Sequence, residues 1–347
     1  MRYARVRIET IAYELAPNVI TSAALEERLA PAYRKLGIPF GQLAAITGIH
    51  ERRFWNPGQT MADGAARAAR KALHDTGVDP ADVGTLIYAG VCRDNLEPAA
   101  ACAVADALGL SPRSEIYDVT NACLGVLNGM VQIANAIELG QIRAGLVVSC
   151  ESARDIVTET IDRLNANPDI EFFKTALATL TGGSSAVAVL LTEASFSEGG
   201  RKLLGGVARS ACEHHKLCRW GPESGLLGAG ARQVMETHAL DVLENGVALG
   251  VRVFPDFLAE IGWTHRGPDK IICHQVGATN RASILKALEI PAERDFMTFE
   301  FLGNIGTVSL PITAAIADER GFLTAGDRVG FLGIGSGLNT IMLGVEW

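Results

Sequence analysis

Two pairs of landmarks recur along this chain at nearly one interval, and that repetition limits what it can fold into. Gly77 stands nine residues before Leu86, where a strand-like apolar run begins, and Gly262 stands nine residues before Ile271, where another begins, an offset of 185 in both cases. Cys123 and Asn304 form a second pair at an offset of 181, and each precedes a helical pattern, a glycine and a further strand. A chain that repeats itself in this way reads as two similar halves, residues 1–197 and 198–347, divided in the polar, glycine-rich stretch 194–200. Helices and strands alternate within each half, which predicts an α/β fold around mixed or parallel sheets.

In chain order, Arg5–Tyr13 reads as a first strand, and Thr21–Leu36 as one helix begun by Thr21 or Ser22 and closed at Gly37. Met61–Asp75 is an alanine-rich helix stopped by Gly77, and Ala99–Leu108 a small-residue helix. Short apolar runs at Thr85–Val91, Gly145–Ser149 and Ala186–Leu191 predict buried strands. Glu115–Thr120 is a further strand, and Ile156–Leu177 a helical insertion broken between Asn165 and Pro168.

Composition narrows the function classes. With 347 residues, 48% hydrophobic and 20% charged, the chain can bury a large core. A net charge of -8 and a pI near 5.5 argue against a basic nucleic-acid surface, while a local basic patch for a phosphate-bearing ligand stays open. The seven cysteines are odd in number, scattered and without a C-x-x-C pair, so neither a disulfide framework nor a zinc site is expected. The first residues lack the apolar core of a signal peptide, and no apolar run is long enough to span a membrane; the expected location is the cytoplasm.

The residues that could carry chemistry are separated in sequence. In Asp118–Gly125, a strand-like run meets a helical pattern of Leu124, Leu127, Met130, Val131, Ile133 and Ile137. Cys123 then stands at a strand-to-helix junction, where the unpaired N–H groups and partial positive charge of a helix start favour thiolate. It is a nucleophile or one more small core residue, and position alone does not decide. His274 ends the buried run Ile271–Val276, at the kind of carboxyl edge where α/β folds gather their sites; a lone histidine there is more often a satisfied core residue. Asn304, in Leu302–Gly306, reads alone as a turn residue. Leu332–Leu338 is a loop rich in glycine, with Gly335, Ser336 and Gly337 at its centre and no following helix to make it a nucleotide motif.

Taken in this order and with these local motifs, Cys123, His274, Asn304 and the Gly335–Ser336–Gly337 loop resemble the thiolase superfamily over nearly the full chain. Within it the resemblance is to the type III β-ketoacyl synthases, and most narrowly to the branch that joins two fatty acyl thioesters head to head. That resemblance implies a duplicated α-β-α-β-α sandwich, a homodimer, acyl-CoA or acyl carrier protein as substrate partner, and no cofactor or metal. It makes Cys123 the nucleophile that takes an acyl group. His274 and Asn304 become donors to the second substrate's thioester oxygen, and the Cys123 and Gly335 N–H groups the cradle of the other oxyanion. Glu97, in Leu96–Glu97–Pro98, matches the glutamate that the head-to-head enzymes insert from the partner subunit as the base; otherwise it is a surface carboxylate. Hydroxymethylglutaryl-CoA synthase also uses a glutamate, at a different spacing. The chain departs from the family where synthases that use coenzyme A carry a tryptophan and an arginine, since Gln42 and Ile46 stand there. Arg52, Arg53, Lys216 and Arg219 are then the cations that could meet coenzyme A phosphates, or are solvated charges. The expected activity is non-decarboxylative condensation of two acyl thioesters. The alternatives are a decarboxylating synthase fed by a malonyl thioester and a non-catalytic acyl-binding protein.

Overall fold

Glycine at the end of a helix can take the left-handed conformation that closes it, and both repeat landmarks do so. Gly77 (φ 70°) closes the helix Met61–Thr76 and Gly262 (φ 73°) closes the helix Ala239–Ile261, each just ahead of its strand. The computed structural model describes residues 1–196, 200–223, 233–263 and 267–347. The division expected at residues 197 and 198 lies outside the described residues.

The repetition is one of topology. In the first half the strands lie in the order Glu115–Asp118, Val83–Tyr88, Ala144–Glu151, Ser185–Glu193, Val6–Leu15; the first three are parallel and the last two antiparallel to their neighbours. In the second half Lys270–Cys273, Arg328–Gly335, Asn339–Glu346 and Arg201–Ser210 follow the same order and senses. A single parallel bridge, Ile271 to Asp295, holds the place that Glu115–Asp118 takes in the first half. The half-sheets join through Arg7–Lys202 and Ile8–Arg201, making one nine-stranded sheet.

Both faces of each half-sheet are covered, so the inner strands are largely apolar and their period-two alternation sorts residues between two cores. Val187, Val189 and Leu191 face the central core, whereas Ala186, Ala188 and Leu190 face the helix Met61–Thr76. In the second half Ile272 joins the central core, while Ile271 and Cys273 face Ala239–Ile261. The equivalent helices Gly125–Glu138 and Ser309–Glu319 share the central core. They are tied where they begin: the Val126 N–H donates to Thr307 Oγ1 at 2.8 Å. This is the duplicated α-β-α-β-α arrangement.

Three sequence expectations need correction. Thr21–Leu36 is two helices, Ser22–Arg28 and Ala30–Leu36, because Pro31 has no N–H to continue the first and sits in the opening turn of the second. The strand expected to reach Val91 ends at Tyr88. Arg52 and Arg53, read from the sequence as phosphate-binding or solvated cations, lie on the strand Glu51–Phe54, paired with Asn18–Thr21. Among the described residues, no helix is long and apolar enough to cross a membrane.

Candidate active site

The repeated topology brings the carboxyl ends of the parallel strands in both halves toward one space. After Glu115–Asp118 the chain turns through Ala122, whose φ of 46° is uncommon for a residue with a Cβ, and the helix begins at Gly125. Gly125 lies so close to the first half-sheet that a Cβ there would stand 2.9 Å from the Ala89 carbonyl oxygen. Cys123, just before that helix, lines a cavity together with His274, Asn304, Gly335 and Ser336. His274 and Asn304 would be unremarkable alone; all five line one cavity.

Asn304 is held from three directions. Its N–H donates to the Thr181 carbonyl and its own carbonyl accepts from Gly183 N–H, both at 2.9 Å. Its Oδ1 accepts from Gly306 N–H at 3.1 Å, which leaves the side-chain NH₂ as the donor the cavity can use. Gly183 permits this approach, since a Cβ there would stand 2.1 Å from the Leu302 carbonyl oxygen. His274 N–H donates to the Leu332 carbonyl at 3.1 Å, and the buried Gln275 fixes the turn by accepting from Thr298 N–H at 3.0 Å. The His274 Nδ1 is buried without a hydrogen-bond partner, so this is not a satisfied core histidine. Burial pulls its pKa down to about 4, and the ring is neutral at physiological pH.

The glycine loop reaches the nucleophile's backbone. A Cβ on Gly335 would stand 3.4 Å from the Cys123 nitrogen and 3.1 Å from Leu124 Cγ. Asn339 Nδ2 bridges the loop to the Cys123 turn through the Ser336 carbonyl at 3.3 Å and Asn121 Oδ1 at 3.2 Å.

The thiol itself departs from the sequence expectation. Burial, with smaller contributions from Cys218 and Glu151, pushes the Cys123 thiol up to about 12, although a helix start favours thiolate. A helix N-terminus contributes about 0.3–1 kcal/mol, rarely as much as about 2. That is less than the ~4 kcal/mol that displacement from 9 to 12 represents, so burial wins. Alkylation of Cys123 by iodoacetamide, followed by peptide mapping, is therefore expected to accelerate steadily through pH 10. A plateau near the ordinary thiol value of about 8.5 would contradict this.

A second cavity meets the first at Cys123 and Asn304 and is bordered by Ile156, Ala178, Trp220 and Glu151. Glu151 escaped the sequence reading, which ended its strand at Ser149. The available signal was an acid at the carboxyl end of a parallel strand. It is 4% exposed, and burial raises its pKa against the opposing pull of the Val91 and Cys92 hydrogen bonds.

Glu97 stands apart from Cys123 within the chain. It is exposed, beside Leu96 at 75% exposure, and lines neither cavity at the cysteine. The proposed phosphate cations also divide. Arg52 is 1% exposed; it donates to Ser22 Oγ at 2.9 Å and the Leu180 carbonyl at 3.3 Å, and burial pulls its pKa down to about 10. It is an internal brace and cannot reach a coenzyme A phosphate. Arg53 is half-buried and donates to the Ala16 carbonyl at 3.3 Å. Lys216 and Arg219 are exposed on either side of Cys218, which lines both cavities, and Arg219 pairs with Glu236 at 3.1 Å.

Comparisons with known proteins agree with this geometry. Residues 54–173 match the model of the thiolase N-terminal domain, and residues 258–347 that of the 3-oxoacyl-[acyl-carrier-protein] synthase III C-terminal domain. The chain is 55% identical to the acyl-CoA:acyl-CoA alkyltransferase of Shewanella oneidensis and 38% identical to that of Xanthomonas campestris, each over 100% of both chains. A crystal structure of Xanthomonas campestris OleA with a cysteine replaced by serine, bound to lauric acid and lauroyl-CoA, superposes with a TM-score of 0.92 at 36% identity. That match covers 99% of this chain and 100% of the other. Further OleA structures carry replacements of a glutamate or a histidine.

Proposed function

Because this chain belongs to the OleA family of acyl-CoA:acyl-CoA alkyltransferases, within the thiolase superfamily, we propose that it joins two fatty acyl-CoA molecules through an acyl group held on Cys123. The observation that carries this reading is the convergence of Cys123, His274 and Asn304, drawn from both halves, on one cavity where two largely apolar spaces meet. A nucleophile at such a junction can hold one chain while a second is presented to it.

The chemistry follows from the groups. The Cys123 sulfur attacks the first thioester carbonyl and the carbon–sulfur bond to coenzyme A breaks. Coenzyme A leaves as the thiol, with the proton Cys123 gives up. The tetrahedral oxyanion is stabilised by the N–H groups of Cys123 and Gly335. A second acyl-CoA then loses an α-proton to Glu97 of the partner subunit, and its thioester oxygen, becoming negative, takes hydrogen bonds from His274 and Asn304. The carbanion bonds to the acyl carbon, the bond to Cys123 breaks, and the sulfur recovers the proton from Glu97. The product is a β-ketoacyl-CoA, whose hydrolysis gives the β-keto acid.

Two observations support Glu97 as a base acting across a homodimer. It is exposed and lines neither cavity at its own chain's Cys123. The glutamate and cysteine replaced in the Xanthomonas campestris OleA structures stand as far apart in that sequence as Glu97 and Cys123 do here. The substrate thioester is that of coenzyme A, as in the lauroyl-CoA complex of that relative. Lys216 and Arg219 remain the exposed cations beside the cavity for its phosphates. The division into halves near residues 197 and 198 and a cytoplasmic location belong to the same reading, which needs no cofactor.

The reading is tested by supplying one long-chain acyl-CoA with and without a malonyl thioester. Replacement of His274 or Asn304 by alanine is expected to slow condensation by about a hundredfold or more, the scale of a lost oxyanion donor, while the acyl-enzyme still forms. Following the two half-reactions separately checks this, and an equal loss of acylation would contradict it.

A further inference from the structure

The loop that carries Glu97 is free only at its tip. Val91 N–H donates to one carboxylate oxygen of Glu151 at 2.9 Å, and Cys92 N–H to the other at 3.2 Å. The Tyr88 hydroxyl lies 2.6 Å from the Cys92 carbonyl oxygen and 2.9 Å from that of Cys150, and the Cys92 thiol meets the Ser152 backbone at 3.4 Å. Farther along, Asp94 accepts the N–H groups of Met61 and Ala62 at 2.7 and 2.9 Å. Past the tip, Asp118 accepts those of Ala100 and Ala101 at 2.9 and 3.0 Å. Asn95, Leu96, Glu97 and Pro98 are left exposed between these anchors.

Glu151 borders the Cys123 cavity, as Val91 and Ser152 do, and its side chain also lies against the turn of Asn304, where a Cβ on Gly306 would stand 3.3 Å from Glu151 Cγ. We propose that Glu151 is a positioning residue for the condensation step: by holding the Val91 and Cys92 N–H groups it sets the direction in which its own chain's loop delivers Glu97 to the neighbouring active site. This rests on the shared-site reading of Glu97. A carboxylate suits the task because it presents two acceptors to two consecutive donors. The carboxamide of Glu151→Gln turns one of them into a donor facing an N–H, which frees one strand of the loop's root without changing side-chain length.

The proposal has a signature that a general structural role lacks, because the lesion acts on the neighbour's site. In a heterodimer of one Cys123→Ala chain and one Glu97→Ala chain, a single working site remains, using Glu97 of the first and Cys123 of the second. Glu151→Gln in the Cys123→Ala chain should cut condensation about tenfold or more while acylation of the other chain's Cys123 proceeds normally, the scale expected when a reacting group is misplaced. The same substitution in the Glu97→Ala chain should cost far less. Equal losses in both placements, or a greater loss in the chain bearing Cys123, would overturn the proposal and assign Glu151 to its own cavity. An inactive starting heterodimer would instead overturn the shared-site reading, and this inference with it. Should Glu151→Gln chains fail to fold, Glu151→Asp, which keeps both acceptors but withdraws them by one methylene, should show the same asymmetry; its absence is equally decisive.

Discussion

Serine in place of Cys123 is expected to leave the protein unable to take on an acyl group from a long-chain acyl-CoA. An alcohol is a weaker nucleophile than a thiol and a poorer leaving group, so both formation and breakdown of the covalent intermediate suffer, and turnover should fall by a factor on the order of 10³ or more. The site offers no substitute on the same backbone turn. Cys218 lines the same cavities but belongs to a different element, the strand Cys218–Pro222. Intact-mass spectrometry after incubation with acyl-CoA decides the matter. An acyl mass retained by the serine variant on another cysteine would show that the nucleophile has been misassigned.

Glutamine in place of Glu97 is expected to separate the two halves of the reaction. Acylation of Cys123 needs no α-proton to move, and Glu97 is exposed and lines neither cavity at its own chain's cysteine, so the first step should proceed nearly as in the parent protein. The second step requires that a weak carbon acid give up a proton to a carboxylate, a transfer that His274 and Asn304 can assist but not perform. Condensation should therefore stop, and so should exchange of deuterium at the α-carbon of the second acyl-CoA. A glutamine variant that condenses at a near-normal rate would remove Glu97 from the chemistry and favour a decarboxylating route to the carbanion.

What the sequence disclosed and what it hid differ in the range of the interactions involved. Gly77 and Gly262 were legible because a left-handed helix terminus is a local demand that glycine meets, and the two-half topology follows from their matched spacing. The break at Leu29 is also locally signalled, by Pro31, although the apolar pattern on either side of it reads as one continuous helix. Arg52 shows the opposite case. Its neighbours Arg53 and Glu51 suggest a solvated turn, whereas its partners are Ser22 and the Leu180 carbonyl, far away in sequence. The same holds for the Cys123 thiol, where a local helix start argues for thiolate and burial by the assembled halves overrides it. His274 and Asn304 were recognisable through family motifs and not through their own surroundings. What raises them from core and turn residues is an unpartnered Nδ1 and an amide oriented by Gly306, both products of tertiary structure. Glu151 had no motif to announce it, and its role emerges only where the end of Ala144–Glu151 meets the start of the Glu97 loop.

The central claim, that this protein makes its carbanion by proton removal from one fatty acyl-CoA and joins it to another, is tested most directly with the unmodified protein and a single long-chain acyl-CoA, malonyl thioesters being withheld. Mass spectrometry of the product should then find a β-keto carbon skeleton built from two of the supplied acyl chains, with free coenzyme A released alongside. Formation of a β-keto product only when a malonyl thioester is added, with one acyl chain lengthened and carbon dioxide lost, would contradict the account.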